Sequence, residues 1–384
     1  MRRSLFWGSL SALAYTYAVF PLIVLLRGRF RPKPYLKAEI TPTVSIIVAA
    51  HNEAAIIAAK IENLRALEYP VERLEIVIAS DGSVDGTNEI ARSYVDGNVR
   101  LLPLPRQGKA GTLNRAVEQT TGEIVVFSDA DGSCRPGTLR ALVGPFADDS
   151  VGGVAGNRVY VDIEDAEGTA VGEGGYWDFD RAMKVAQSRA GSITGASGSS
   201  FYAIRRDLVR PIPPRVNDDF INSLRVVEQG RRIVFAPEAV TYGSVALSAS
   251  AEYTRKVRVM TRGLRCAVSV PELFNPFRFG FFSLQLFSHK IAMRIMVVPL
   301  LLLAGVTPLL WRRGVLYRIS AVGQMSFYGC AALGALFPRR TWTRARIFSF
   351  PAYFCLVNVA SLQAMINLLR RHSIELWSPD RSGD

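Results

Sequence analysis

The feature that most constrains the fold is a short apolar run that ends in two acidic residues. Residues 124–129 read Ile-Val-Val-Phe-Ser-Asp, and Asp131 follows two positions after Asp129. Such a run, following Gly122, is typical of a buried strand in a parallel sheet. Ligands of open α/β sheets bind beyond the carboxyl ends of these strands, so Asp129 and Asp131 are expected beside a phosphate-bearing substrate. One or two carboxylates with substrate phosphates commonly hold a divalent cation.

Strand and helix patterns alternate on both sides of this run. Strands are predicted at 44–50, 74–79, 99–102, 124–128, 154–161, 201–204 and 233–237. Helices are predicted after residue 53, after residue 86, from Lys109, over 171–189 and from Asn217, with Gly230 as a C-terminal cap. Alternation at this spacing indicates βαβ units on a parallel sheet, and therefore the α/β class.

Four largely uncharged segments are long enough to cross a bilayer. They lie at 4–26, 291–311, 315–337 and 347–369. The first could instead be a cleaved signal peptide. Its apolar run is longer than the core of such a peptide, and no small-x-small cleavage site precedes the charged residues, so a retained anchor is favoured.

The apolar segments divide the chain. We expect an N-terminal anchor (1–26), a basic linker (27–38), a soluble domain (39–270), an amphipathic interfacial segment (271–290), C-terminal transmembrane helices (291–371) and a tail (372–384). Five Lys and Arg residues between positions 27 and 37 predict a cytoplasmic linker and soluble domain. This predicts a multi-pass protein of the cell (inner) membrane, with the side of the tail left open.

The formal net charge of +13 raises the question of nucleic-acid binding. Many basic residues flank the apolar segments, where topology and anionic lipid headgroups account for them, so no nucleic-acid partner is expected. The four cysteines have no metal-like or paired spacing, which is typical of reduced thiols.

Polar groups follow the predicted strand ends at several places besides Asp129 and Asp131. They are His51-Asn52-Glu53, Asp81, and Lys109 within Gly-Lys-Ala-Gly. Asp81 and Glu53 suit hydroxyl or imide donors, and Lys109 suits a phosphate or a ribose. The segment 81–86 could alternatively be only a turn that caps a helix, but so many clusters at strand ends favour a nucleotide site.

Together these motifs resemble the family 2 glycosyltransferases with the GT-A fold. The matching stretches are Val-Ser-Ile-Ile-Val-Ala-Ala-His-Asn-Glu (44–53), Ala-Ser-Asp-Gly-Ser-Val-Asp-Gly-Thr (79–87), Gly-Lys-Ala-Gly-Thr-Leu-Asn (108–114), Ser-Asp-Ala-Asp-Gly (128–132), Asn-Asp-Asp (217–219) and the Arg-rich 255–262. The resemblance covers about 40–270. The flanking helices look like those of the membrane-bound branch, which includes cellulose, chitin, hyaluronan and poly-N-acetylglucosamine synthases. The resemblance implies an α/β GT-A domain with a Rossmann-like mixed sheet, together with one N-terminal and about three C-terminal transmembrane helices.

The resemblance also implies a role for each matching residue. On the donor side, Ala49, Ala50 and His51 would cradle the nucleobase, with Glu53 nearby. Asp81 would accept a hydrogen bond from the base, and Lys109 would assist the nucleotide. Asp129 would approach the ribose and the metal, and Asp131 would bind Mn²⁺ or Mg²⁺ directly. On the acceptor side, Asp219 would be the general base with Asp218 in support, and Arg258 would stabilise diphosphate charge. Asp218 and Asp219 could alternatively be ordinary helix caps.

One motif departs from the family. Processive members carry Gln-x-x-Arg-Trp near the membrane, and the corresponding residues here are Arg255-Lys256-Val257-Arg258-Val259. The arginine is kept, but the glutamine and the tryptophan that stacks on the acceptor sugar are replaced. Long-chain processive synthesis is therefore in doubt.

The resulting hypothesis is a membrane-anchored, metal-dependent, inverting glycosyltransferase. It would use a nucleotide-sugar donor, with UDP as the expected nucleotide, and a polysaccharide or lipid-linked acceptor, with extracellular or capsular polysaccharide synthesis favoured. The alternatives are a lipid-linked sugar transferase, a nucleotidyltransferase and a non-catalytic membrane scaffold. Oligomeric state and any export partner are left open.

Overall fold

The computed structural model describes residues 1–161, 168–244, 249–338 and 340–370, so the predicted tail at 372–384 lies outside the described residues. The chain forms two compact units. The sheet unit comprises Pro32–Val161 and Gln187–Ser244. The helical unit comprises Met1–Arg31 and the other described residues.

The sheet unit is built on eight strands. They are β1 (Val44–Ala50), β2 (Leu74–Asp81), β3 (Val99–Leu104), β4 (Ile124–Asp129), β5 (Ser133–Cys134), β6 (Val151–Val161), β7 (Phe201–Arg205) and β8 (Arg232–Ser244). Their order across the sheet is β3-β2-β1-β4-β7-β6-β8-β5. The β1–β2, β1–β4, β2–β3 and β6–β8 pairs are parallel, and the other pairs are antiparallel. The predicted α/β class with a mixed sheet is confirmed.

The register of the parallel strands brings their carboxyl ends to one edge. Ala49 of β1 lies opposite Ala79 of β2 on one side and opposite Asp129 of β4 on the other. All seven residues of β1 are buried, which explains its mostly apolar sequence. Residues that follow these strands therefore meet at the same edge of the sheet, as the sequence predicted.

Fifteen α-helical segments lie in the described residues. They are α1 (Arg2–Ala14), α2 (Phe20–Phe30), α3 (Ala54–Arg65), α4 (Thr87–Ser93), α5 (Lys109–Glu118), α6 (Thr138–Val143), α7 (Gly168–Ala190), α8 (Asp218–Glu228), α9 (Ala249–Val268), α10 (Pro276–Phe279), α11 (Phe281–Leu286), α12 (Met293–Ile295), α13 (Val297–Val306), α14 (Val315–Leu336) and α15 (Arg346–Leu369). In the sheet unit, α3 buries Ile57, Ile61 and Leu64 in the main hydrophobic core, at the helical spacing read from the sequence.

Strand β8 is longer than its sequence predicts. The sequence predicts this strand over 233–237, and proline cannot donate to a ladder of hydrogen bonds. The structure continues to Ser244 through an irregular step, at which the register with β6 jumps from Ala155↔Phe235 to Asn157↔Val240. The side chain of Asn157 donates to the carbonyl of Pro237 at this step, at 3.0 Å. The second half of β8 then pairs with β5.

The helical unit contains three helices that are long and apolar enough to cross a membrane. They are Arg2–Phe30, in which a π-helical turn joins α1 to α2, Val315–Leu336 and Arg346–Leu369. A fourth candidate is a pair of helices, Phe281–Ile295 and Val297–Val306, that is bent by 44°. The described residues thus contain one N-terminal and two C-terminal candidate spans, and the bent pair is a possible third C-terminal span. This agrees with the predicted arrangement of transmembrane helices.

The domain boundaries predicted from the sequence stay predictions. Helix α9, which falls within the predicted soluble domain (39–270), is grouped with the helical unit, where Ser361 of α15 donates to the sulfur of Met260 at 3.3 Å. The bent pair begins at Phe281, inside the predicted interfacial segment (271–290). Helix α9 carries several charged residues, among them Glu252 and Lys256 as an ion pair of 3.1 Å, so composition could not assign it to an apolar unit.

Candidate active site at the carboxyl edge of the sheet

The two carboxylates that end β4 lie at the rim of the sheet unit. Asp129 is the last residue of β4, and its backbone N–H donates to the carbonyl of Ser200 at 3.0 Å. Asp131 follows in the turn. Their side chains are 38% and 42% exposed, so both can reach a ligand from solvent.

Lys109 links Asp129 to the start of helix α8. Its Nζ lies 2.9 Å from Asp129 Oδ1 and 3.0 Å from Asp218 Oδ1. Burial disfavours the charged ammonium, but the charges of Asp129 and Asp218 outweigh it and raise the pKa of Lys109 above its ordinary value. Burial likewise opposes ionisation of Asp129, yet Lys109 and Arg158 lower the pKa of that carboxyl. The ammonium of Lys109 therefore stays charged beside Asp129 and Asp218.

Arg158 of β6 is a second cation at these carboxylates. Its Nη2 donates to Asp131 Oδ2 at 2.8 Å, and its Nη1 lies 3.9 Å from Asp129 Oδ2. The guanidinium also stacks on the ring of Tyr160, with Cζ 5.1 Å from the ring centroid. Both members of the Asp-x-Asp pair thus already face a positive charge.

Asp81, at the end of β2, is buried and holds the loop that precedes α5. Arg106 Nη1 donates to Asp81 Oδ2 at 2.6 Å, and the backbone N–H groups of Gln107 and Gly108 donate to Oδ1 at 2.7 and 3.0 Å. The Asp81 side chain is 0% exposed. In this structure both of its oxygens bind the loop, so its contact with a nucleobase stays a prediction.

The residues that follow β1 form a compact turn at the same edge. Ala49 and Ala50 are buried in β1, and His51 Nδ1 donates to the carbonyl of Asp81 at 2.8 Å. Asn52 adopts a left-handed backbone with φ of 53°, and Glu53, which is buried, donates its N–H to Thr87 Oγ1 at 2.9 Å. The predicted donor-side residues therefore lie on neighbouring loops.

Helix α8 begins with two carboxylates in different surroundings. Asp218 accepts from Tyr202 at 3.1 Å, in addition to its ion pair with Lys109. Asp219 accepts from the backbone N–H of Gly198 at 3.2 Å. Burial and the charge of Asp218 raise the pKa of Asp219 to about 6, although Lys109 partly opposes the shift. A carboxyl poised there can act as a base near neutral pH.

The predicted site residues divide between the two units. The sheet unit contains Ala49, Ala50, His51, Glu53, Asp81, Lys109, Asp129, Asp131, Asp218 and Asp219. Arg258 lies on α9 in the helical unit. Contacts bring Asp129, Asp131 and Asp218 together through Lys109 and Arg158, and Asp219 is the neighbour of Asp218 on α8.

Three basic residues of the site were missed from the sequence. Besides Arg106 and Arg158, Lys60 of α3 is buried and donates through Nζ to the carbonyl of Gly132, directly after Asp131. Lys60 carried a signal, because it occupies an otherwise apolar helix face, where an amine needs a buried partner. The two arginines carried no local signal, since only the folded sheet brings them to the carboxylates.

The residues present fit a hard divalent cation. The described residues contain no group of three or more His, Cys, Asp or Glu side chains placed to hold a metal. However, one or two carboxylates with substrate phosphates suffice for Mg²⁺, and both Asp129 and Asp131 face a cation here, the guanidinium of Arg158. Together with a diphosphate these carboxylates could hold Mn²⁺ or Mg²⁺.

Comparisons with known proteins agree with the α/β fold of the sheet unit. A model of the family described as Glycosyl transferase family 2 matches residues 45–210. The Probable glycosyltransferase YdaM of Bacillus subtilis (strain 168) is 27% identical over 273 residues, which are 63% of this chain and 62% of YdaM. The Beta-monoglucosyldiacylglycerol synthase of Nostoc sp. (strain PCC 7120 / SAG 25.82 / UTEX 2576) is 38% identical over 156 residues, 38% of this chain and 33% of that protein. This chain thus covers less than two thirds of either relative.

A solved structure matches over nearly the whole length. It is the mannosyltransferase PcManGT from Pyrobaculum calidifontis in complex with GDP-Man and Mn²⁺, with a TM-score of 0.71 and 25% sequence identity, covering 96% of this chain and 99% of that one. The likeness extends beyond residues 45–210, because it also includes the helical segments. Residues 45–210 of this chain thus match the family described as Glycosyl transferase family 2, and the structure has a mixed α/β sheet of the GT-A type.

Proposed function

We propose that this protein is a membrane-anchored, inverting glycosyltransferase that moves a sugar from a nucleoside diphosphate to a saccharide or lipid-linked acceptor. The observation that carries the proposal is the bridge from Asp129 through Lys109 to Asp218, which puts the Asp-x-Asp pair next to the start of α8. Donor-binding carboxylates and a candidate base then share one edge of the sheet.

On the donor side, we assign the diphosphate to the side of Asp129 and Asp131. A bound Mn²⁺ or Mg²⁺ would neutralise charge on the diphosphate as it leaves. Lys109 and Arg158 add fixed positive charge at the same carboxylates. The backbone turn at His51, fixed by its bond to the carbonyl of Asp81, is assigned to the nucleobase. Arg258 keeps its proposed role in stabilising the diphosphate.

On the acceptor side, Asp219 is the proposed general base. It removes the proton of the acceptor hydroxyl while that oxygen attacks the anomeric carbon and the bond from that carbon to the diphosphate oxygen breaks. One displacement inverts the anomeric configuration. Asp218 is the proposed positioning residue, because Tyr202 and Lys109 hold its two oxygens at 3.1 and 3.0 Å. Asn222 in turn donates to the hydroxyl of Tyr202 at 3.1 Å.

Donor and acceptor are proposed as classes. UDP is the nucleotide expected from the sequence, whereas the solved neighbour PcManGT binds GDP-Man, so both nucleotides belong in the test. The name of the Nostoc relative refers to a diacylglycerol product, and the chain carries three or four candidate membrane helices, which supports a lipid-linked acceptor. A growing polysaccharide is the second acceptor class. In either case the sheet unit is proposed to face the cytoplasm.

The direct test is release of nucleoside diphosphate. Purified full-length protein is incubated with UDP- and GDP-sugars, in membranes that supply acceptors, with Mn²⁺ or with EDTA. We expect release from at least one donor, with Mn²⁺ required. No release from any donor with any acceptor preparation would overturn the proposal.

Two substitutions test the assigned roles. Asp219→Asn is expected to keep nucleotide binding and to lower transfer about 10²–10⁴-fold, the usual contribution of a general base. Asp131→Ala is expected to lose Mn²⁺-dependent donor binding. Asp207→Asn, an exposed carboxylate in the turn after β7, is the matched control and should transfer like the wild type. Unchanged transfer by Asp219→Asn would remove Asp219 from the base role.

A further inference from the structure

Arg158 pairs with both of the carboxylates to which the proposed function assigns the metal ion. Its guanidinium lies 2.8 Å from Asp131 and 3.9 Å from Asp129. The arginine side chain is only 13% exposed, whereas the two carboxylates are 38% and 42% exposed. The cation therefore lies on the inner side of the carboxylates, and their outer side faces solvent.

The surroundings of Arg158 are shaped to hold a guanidinium. Tyr160, two residues along β6, provides a ring face at 5.1 Å. Gly243 lies opposite Tyr160 on the neighbouring strand β8. A Cβ at Gly243 would be 2.5 Å from Nε and Nη2 of Arg158, so the guanidinium uses space that a side chain on β8 would take. Arg158 is thus packed in place, unlike an arginine that reaches the site from solvent.

This arrangement creates competition between two cations. A divalent ion that binds Asp131 meets the charge of Arg158 within a few ångströms, in a partly buried site where like charges repel strongly. The same arginine is a donor fork that suits phosphate oxygens. A diphosphate would give the guanidinium new anionic partners and would leave Asp131 to the metal.

We propose that Arg158 makes metal binding at Asp129 and Asp131 conditional on the diphosphate of the donor. The inference rests on the proposed function, since it concerns the same donor site. Without nucleotide, Arg158 pairs with the carboxylates and holds metal affinity down. With nucleotide, the guanidinium pairs with phosphate and metal affinity rises. By linkage, the metal then tightens the nucleotide by the same factor.

Mn²⁺ affinity measured without nucleotide tests the proposal and does not depend on turnover. The full chain is titrated with Mn²⁺ in detergent, and free Mn²⁺ is read by electron paramagnetic resonance, first alone and then with saturating UDP or GDP. Arg158→Gln is expected to bind Mn²⁺ about tenfold tighter than the wild type without nucleotide, within the usual range of coupling between sites. In Arg158→Gln, saturating nucleotide should therefore raise the Mn²⁺ affinity by a smaller factor than it does in the wild type. Equal or weaker nucleotide-free Mn²⁺ binding by Arg158→Gln would overturn the proposal.

A second variant moves the guanidinium and leaves Arg158 in place. Gly243→Ala introduces the methyl group that conflicts with Nε and Nη2, and it should change nucleotide-free Mn²⁺ affinity in the same direction as Arg158→Gln. If Arg158→Gln does not fold, this variant decides, and wild-type affinity in it counts against the proposal. Arg135→Gln is the matched control, because Arg135 stacks on Tyr242 at 5.2 Å through a similar arginine–tyrosine contact and is expected to leave Mn²⁺ affinity unchanged.

The two proposals fail in different ways. A wild-type protein that binds neither UDP nor GDP and releases neither from any donor contradicts the proposed function. If the wild type binds nucleotide and Mn²⁺, and nucleotide raises Mn²⁺ affinity by the same factor in the wild type and in Arg158→Gln, only the role of Arg158 is contradicted.

Discussion

Two adjacent aspartates at the start of α8 show how local surroundings separate similar side chains. Asp218 is held by Lys109 and Tyr202, and Asp219 accepts a backbone N–H from Gly198. Their sequence alone allowed both to be ordinary helix caps. In the structure, one is held in place by a cation and the other has its pKa raised to about 6, first by burial and then by its neighbour's charge.

The pH dependence of the reaction follows from Asp219. A general base works only when it is ionised, so kcat/KM is expected to rise with pH through about 6 and to level off above it. Below that value it should fall about tenfold per pH unit. Initial rates at limiting donor concentration between pH 4.5 and 8.5 check this, with Mn²⁺ held saturating. A profile that is flat down to pH 5 would contradict the assignment.

The same pKa predicts a stability effect of Asp219→Asn. Because the folded-state pKa is above the ordinary 3.8, ionisation of Asp219 costs stability as pH rises from about 4 to 6, and the full cost is present above 6. The amide removes that cost, so the variant should be more stable by about 1–3 kcal/mol at pH 7. Below pH 4 the gain should vanish, because the carboxyl is then protonated in both states. Thermal unfolding in detergent at pH 4 and pH 7.5 measures the difference, and an equal gain at both values would be inconsistent with this cause.

Among elements, strands β1, β2 and β4 were predictable because they are buried on both faces. Such strands have mostly apolar sequences, and polar residues at or just after the end of each one mark the rim of the sheet. Helix α8 was also predictable, since Asn217 begins it and Gly230, with φ of 79°, follows its end. These elements carry most of the predicted site.

Other elements depend on contacts that local sequence does not record. Strand β5 has only two residues and exists through its pairing with β8. The continuation of β8 past Pro237 requires the irregular step in β6. For the same reason Arg106 and Arg158 were not recognised as site residues, because their carboxylate partners are more than twenty positions away in the chain.

Strand β4 is positioned by a close backbone approach at its start. The N–H of Gly122 donates to Ser45 Oγ at 2.9 Å, and a Cβ on Gly122 would be 2.6 Å from Ser45 N and 2.7 Å from Val44 C. Gly122→Ala is therefore expected to separate β4 from β1 and to destabilise the protein by roughly 1–3 kcal/mol, as overpacking commonly does. Thermal unfolding of the variant measures this.

The control for that substitution is Gly97→Ala, because a Cβ at Gly97 has no atom within 4 Å. It should melt within a degree or two of the wild type. If the Gly122→Ala variant has the same melting temperature as Gly97→Ala, then β4 and β1 tolerate the extra methyl group.

At the scale of the whole molecule, the chain combines a mixed sheet with helices that are apolar enough for a bilayer. The three candidate spans and the bent pair agree with the predicted membrane association, while the division into units places α9 with the helices. Composition located the apolar helices, but it could not locate α9, whose charged residues pair with one another.

Membrane integration gives a prediction at this scale. Because apolar burial rather than charge is expected to hold the candidate spans in the bilayer, the protein should remain in the membrane fraction after washing with alkaline carbonate. It should also remain there after washing with about 1 M salt, at which surface charges are screened. Detergent should release it. Immunodetection in pellet and supernatant gives the result, and release by carbonate alone would contradict the assignment of spanning helices.

The position of Lys109 has a consequence for chemical labelling of the molecule. Amine-selective acylating reagents attack the neutral form of lysine, and Lys109 is kept protonated between Asp129 and Asp218. Exposed lysines of the chain should therefore be acylated long before it. Selective protection of the Lys109 amine, measured by peptide mass spectrometry, would therefore show that β4 and helix α8 have folded into contact with it.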